Sequence, residues 1–113
     1  MKIVYDGLCE EVITFLAQGE IKPGDFVRMA DNDTVAVCRQ GDIFVGVAVS
    51  VSGGLCSVKI RGFQEVKTKN WLDVGQMTLS FDENGQLIDA SLGHSCLVVN
   101  YDNTTQIGTI FMY

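Results

Sequence analysis

Ile43-Phe44-Val45-Gly46-Val47-Ala48-Val49-Ser50-Val51-Ser52-Gly53-Gly54-Leu55-Cys56-Ser57-Val58-Lys59-Ile60-Arg61 decides the fold, because its apolar residues recur every second position. That period belongs to a strand with one face buried, not to a helix. Val45, Val47, Val49 and Val51 fall on one face; Phe44, Gly46, Ala48 and Ser50 fall on the other. Cys56, Val58 and Ile60 then alternate with Ser57, Lys59 and Arg61. Ser52-Gly53-Gly54 between them is a hairpin turn, since glycine takes up positive φ without steric cost.

The same grammar runs outward in both directions. Met77, Leu79 and Phe81 alternate with Thr78 and Ser80, and Asp82-Glu83-Asn84-Gly85 turns the chain into Gln86-Leu87-Ile88. Asp31-Asn32-Asp33 plays the same part between Val27–Ala30 and Val35–Cys38. Leu97, Val99 and Tyr101 precede the polar turn Asp102-Asn103-Thr104-Thr105, after which Ile107–Met112 closes the chain. Pro23 suits a tight turn ahead of Gly24-Asp25. Leu8 to Gln18 is ambiguous. Leu8, Val12, Phe15 and Leu16 fit one helix face, but Val12-Ile13-Thr14-Phe15 is β-branched and aromatic, and a strand is the favoured reading.

The second half also reads as a copy of the first, displaced by about 52 positions. Gly24–Met29 falls near Gly75–Leu79, and Gly41–Val49 falls on Gly93–Tyr101. Leu55, Val58 and Ile60 fall on Ile107, Ile110 and Met112, while Glu11–Thr14 matches Glu65–Thr68. Two copies are too few for a solenoid. The expectation is one all-β domain over residues 1–113, a small barrel or sandwich of short antiparallel strands, built from halves at approximately 7–61 and 62–113.

The bulk composition narrows the function classes. With 113 residues and 47% hydrophobic content, the chain can bury a core without a disulfide or metal. The net charge of −6 argues against a nucleic-acid partner, because the eight basic residues are scattered. The densest group, Lys59, Arg61, Lys67 and Lys69, is offset by carboxylates. No apolar run approaches the ~18 residues of a membrane span. Met1–Asp6 lacks the features of a signal peptide, so the expected site of synthesis and residence is the cytoplasm. Cys9, Cys38, Cys56 and Cys96 show no metal-ligand spacing and read as small buried apolar residues, the last three inside strands.

The sequence nominates no catalytic, cofactor-binding or metal-binding residue. His94 is the one histidine, and its position in the repeat corresponds to Asp42, which makes a polar turn residue the favoured reading. Asp31/Asp33 and Asp82/Asn84 resemble fragments of calcium loops but lack the closing bidentate carboxylate. Trp71 lies in the polar link Lys67–Asp73, either exposed as a contact residue or capping the core between the halves. Phe111-Met112-Tyr113 ends the chain on large apolar residues, either docked in the sheet or offered to a neighbour. Trp71, Phe111 and Tyr113 are therefore the candidate contact surface.

The stretch Cys96–Ile110 resembles the end of many small bacteriophage and prophage structural proteins. So do, in order, Ile21-Lys22-Pro23-Gly24-Asp25-Phe26-Val27, Thr34-Val35-Ala36-Val37-Cys38 and Phe44-Val45-Gly46-Val47-Ala48. The arrangement is similar to proteins that decorate or cement phage capsids. This resemblance implies a non-enzymatic β-barrel-like protein, often a trimer, bound outside a shell of major capsid protein, and hence found in the virion. It carries over no functional residues. The rival expectations are a monomeric β-barrel module for a small ligand or peptide and, third, an enzyme using His94 or a cysteine.

Overall fold

The turn Gly53-Gly54 joins β4 (Gly46–Ser52) to β5 (Leu55–Lys67), and both glycines are left-handed, with φ of +57° and +78°. Two successive positive φ angles match the twist of a two-residue hairpin, and glycine adopts them without strain. The ladder pairs Ser52 with Leu55, Val51 with Cys56 and Ser50 with Ser57, then shifts so that Ala48 faces Val58 and Val47 faces Lys59. Val49 is the extra residue of this β-bulge. The shift corrects the expected valine face: it turns Val51 to the side of Ala48 and away from Val47, so that Val51 and Val47 pack on different core clusters, while Val49 is 49% exposed. Val45, ahead of β4, packs on the same cluster as Val51.

The computed structural model describes residues 10–113. Leu8, Cys9 and the Met1–Asp6 leader reading lie outside the described residues. The protein is all-β. The remaining strands are β1 (Glu11–Ala17), β2 (Phe26–Asp31), β3 (Thr34–Val37), β6 (Gly75–Phe81), β7 (Leu87–Asp89), β8 (His94–Asp102) and β9 (Ile107–Met112), with no helix among the described residues. Glu11–Ala17 is thus a strand, as the β-branched run favours. Cys38 falls just beyond β3, not inside it, and is half-buried.

The nine strands of the described residues hydrogen-bond into one sheet, in the order β1-β3-β2-β4-β5-β9-β8-β6-β7. The order of ladders occurs twice. In the first half β3 pairs β2, β2 pairs β4, β4 pairs β5 and β5 pairs β1, all antiparallel. In the second, β7 pairs β6, β6 pairs β8, β8 pairs β9 and β9 pairs the end of β5. The first circuit returns on itself, because Leu16 and Ala17 of β1 also pair in parallel with Thr34 and Val35 of β3. The result is barrel-like.

β5 is one unbroken strand shared by both halves, where the residues read as the end of one unit and the start of the next. Its first part pairs with β1 and β4, and Gly62–Lys67 pair with β9. Gly62 stands at the changeover with φ +135°, and a Cβ there would come within 3.1 Å of Glu10 Cγ. A conformation that L side chains avoid and a close neighbour both require glycine at this point.

Two clusters of buried side chains make the core. Ile21, Val27, Val35, Ala48, Cys56 and Val58 fill the first half. The second holds Val66, Leu72, Leu79, Leu87, Cys96, Val98, Ile110 and Met112, joined by Phe44 and Val47 from the first half. Phe44 is completely buried and meets Phe26 and Phe81 edge-on, at centroid separations of 4.8 and 5.9 Å. Its loop is also tied across by main chain and side chain: Gly41 N donates to Phe81 O, and Ser80 Oγ donates to Asp42 O. Phe44 is the joint between the halves.

Candidate contact surface

β9 alternates strictly. Gly108, Ile110 and Met112 are buried, so Ile107, Thr109 and Phe111 point to the opposite face. The ladders then set Phe111 beside Leu97 of β8 on one side and Phe63 of β5 on the other. The Phe63 and Phe111 rings lie 4.6 Å apart, and Tyr113 stacks on Phe111 at 5.9 Å with an interplanar angle of 23°. The Arg61 guanidinium carbon sits 5.8 Å from the Phe111 centroid, within cation–π range, and Arg61 Nη1 also approaches Glu11 Oε1 at 3.5 Å. Tyr113 is 51% exposed and Leu97 37%. Aromatic rings with one arginine on a rigid sheet are the composition that carries binding energy at protein interfaces.

Of the three nominated residues, the structure brings together Phe111 and Tyr113 and leaves out Trp71. The Trp71 indole is 64% exposed and lies 6.1 Å from the Tyr101 ring. Tyr101 pairs with buried Gly108 and therefore belongs to the inner face. The core-capping role in this link falls to Leu72, the next residue, which is 1% exposed. Phe63, Leu97 and Arg61 were not nominated. Their only signal is the cross-strand register, which no local pattern encodes.

Several ionisable groups are committed to local structure. Burial pushes the Cys96 thiol up to about 12, and burial together with the Asp42 carboxylate does the same to Cys38, with Arg28 pulling weakly the other way. Such thiols stay protonated near neutrality and are poor nucleophiles. Arg28 Nε lies 3.1 Å from Asp42 Oδ2 with its N–H poorly aimed, so the contact is an ion pair rather than a hydrogen bond. Asp82 closes its turn by accepting from Asn84 N and Gln86 N on Oδ1 and from Asn70 Nδ2 on Oδ2. The Asn70 bond leads, with the turn amides, in holding that carboxyl below its ordinary value. Its oxygens serve the turn, and among the described residues no three His, Cys, Asp or Glu side chains gather as metal ligands.

His94 is not a turn residue; it opens β8, whereas Asp42 lies in the loop ahead of β4. Its ring stacks on Phe44 at 4.8 Å and 27°, and its Nε2 is buried without a hydrogen-bond partner. Among the described residues, a cleft of about 220 Å³ lies between Gly24 and Phe26 on one side and Gln64–Lys67, Phe81, Gly85 and Leu87 on the other. It is smaller than the ~300–1,000 Å³ of most small-ligand sites. No family model matches the chain, and no curated protein matches it.

Proposed function

We propose that this is a non-enzymatic structural protein of a phage or prophage particle, binding and stabilising the capsid exterior as a decoration protein. The observation that carries the reading is the outward cluster of Phe111, Tyr113, Leu97 and Arg61 around β9, a strand laddered on both sides. A surface preordered in this way loses little conformational entropy on docking. Repetition over a symmetric shell then sums modest contacts into stable attachment. The acidic net charge of −6 suits a position away from the packaged genome. The protein acts as a homo-oligomer, with the trimer suggested by the resemblance, and its partner is the major capsid protein.

The test is co-sedimentation with shells assembled from the major capsid protein encoded beside this gene. The expected result is stoichiometric pelleting with the shells, weakened on the order of tenfold by Tyr113→Asp with the fold intact. A protein that stays in the supernatant at micromolar shell concentration, or a gene with no capsid neighbour, would sink the reading. Sedimentation velocity on the free protein checks the oligomer: a monomer at all concentrations removes that part.

A further inference from the structure

We infer that His94 is an acid-sensitive latch, holding the loop between β3 and β4 against the second half when its imidazole is neutral and letting it go when protonated. The geometry supplies the two states. In the closed state the ring lies flat against Phe44, whose side chain is wholly buried in the second core although it belongs to the first half's loop. Nε2 is sealed from water with nothing to hydrogen-bond, which suits the lone pair of a neutral ring but not an N–H of a cation. Since His94 is the first residue of β8, its ring can swing out to water without breaking the strand. Phe44 then loses its stacking partner, and the loop is left with the edge-on contact of Phe44 with Phe81 and with Gly41 N to Phe81 O and Ser80 Oγ to Asp42 O as ties across the joint.

The surrounding charges do not rescue the cation. On the loop itself Asp42 is taken by Arg28 and by Arg39 N at 2.7 Å, and Cys38 remains a neutral thiol. β2 contributes the cation Arg28. β6 contributes Leu79, buried directly opposite His94, with no ionisable side chain between Gly75 and Phe81. Asp89 of β7 stands one strand further out, beyond Leu79, and is exposed. Burial accordingly holds the imidazole below its ordinary value, while the Phe44 main chain pulls weakly the other way. A depressed value in the closed state means that the open state binds the proton more tightly. The latch is therefore fully closed above the ordinary histidine value of about 6.5 and loosens as the pH falls through and below it.

The experiment is amide hydrogen exchange on the full chain between about pH 7.5 and pH 5, corrected for intrinsic rates. Its reporter is the Gly41 amide, which bonds to Phe81 O across the joint. Wild type should lose protection on the order of tenfold over that range, while His94→Phe, which keeps the stack but cannot titrate, should hold it constant. Equal losses in both proteins, or none in wild type, would overturn the latch. Should His94→Phe not fold, titration of the His94 ring protons in wild type decides alone. A midpoint below 6.5, tracked by the Phe44 ring resonances, supports the proposal, and a midpoint at or above 6.5 overturns it.

Discussion

The two halves use the same order of ladders but close by different means. The first closes with main chain: Leu16 and Ala17 of β1 pair with Thr34 and Val35 of β3. The second has no such ladder between β5 and β7. There Thr68 Oγ1 donates to Leu87 O at 2.7 Å, Asn70 Nδ2 donates to the same oxygen at 2.9 Å, and Lys69 N donates to Gln86 Oε1. Tyr101 Oη completes the seam by donating to Thr68 O. A main-chain seam tolerates many sequences, because its donors and acceptors come with every residue. A side-chain seam depends on particular residues, and the core beside it also takes in Phe26 and Phe44 from the first half.

The largest expected effect comes from removing that intruding residue. Phe44→Ala should cost about 3–5 kcal/mol, since a fully buried aromatic is lost and its cavity cannot collapse from both sides. Denaturant unfolding measures the total. Exchange protection at Val98 and Ile110 should fall more than at Val58, because Phe44 shares a core cluster with the first two and not with the third. Equal losses in both clusters would mean that the halves unfold as one unit and that the distinction has no energetic content.

Next in size is the seam itself. Thr68 is wholly buried, and besides donating to Leu87 O its hydroxyl accepts from Asn70 N at 3.2 Å. Thr68→Val keeps the shape and strands that amide, for an expected loss of about 1–3 kcal/mol. The matching change in the first half is Thr14→Val, whose hydroxyl meets only Ser57 Oγ at 3.3 Å in an exposed position. That variant should stay within about 0.5 kcal/mol of wild type. Similar costs for the two would break the contrast between the seams.

What could be read from the sequence follows the same division. Gly53-Gly54 and the final run Ile107–Met112 were legible because turn chemistry and alternation are local. The unbroken course of β5 was not, because Gly62 looks like an interruption until the partner strands are known to change there. The bulge at Val49 was hidden for a related reason: an extra residue is defined only against the strand opposite. Of the contact surface, Phe111 and Tyr113 showed themselves as large residues at the chain's end. Phe63 and Leu97 join them only through ladders to β5 and β8, and Trp71, conspicuous in the sequence, stands apart from them.

The smallest expected effect separates the two equivalent hairpins. Between β6 and β7 the Asp82 carboxylate gathers three donors, from Asn84, Gln86 and Asn70, and the last ties the turn to the side-chain seam. Between β2 and β3, Asp31 takes one donor, the amide of Asn32 at 2.8 Å. The charged form of Asp82 is favoured in the folded protein, led by the Asn70 bond, so its pKa there lies below the ordinary 3.8. An unfolded chain then binds the proton more readily, and the stability that Asp82 contributes is present above 3.8 and lost as the pH falls below it. Asp82→Asn should therefore flatten the fall in melting temperature at acid pH. Because Asp82 stays partly exposed to solvent the difference is small, and salt weakens it further. An acid limb identical in wild type and Asp82→Asn would show that the second hairpin holds its shape through its backbone bonds, Asp82 N to Gln86 O and Gly85 N to Asp82 O, without help from the charge.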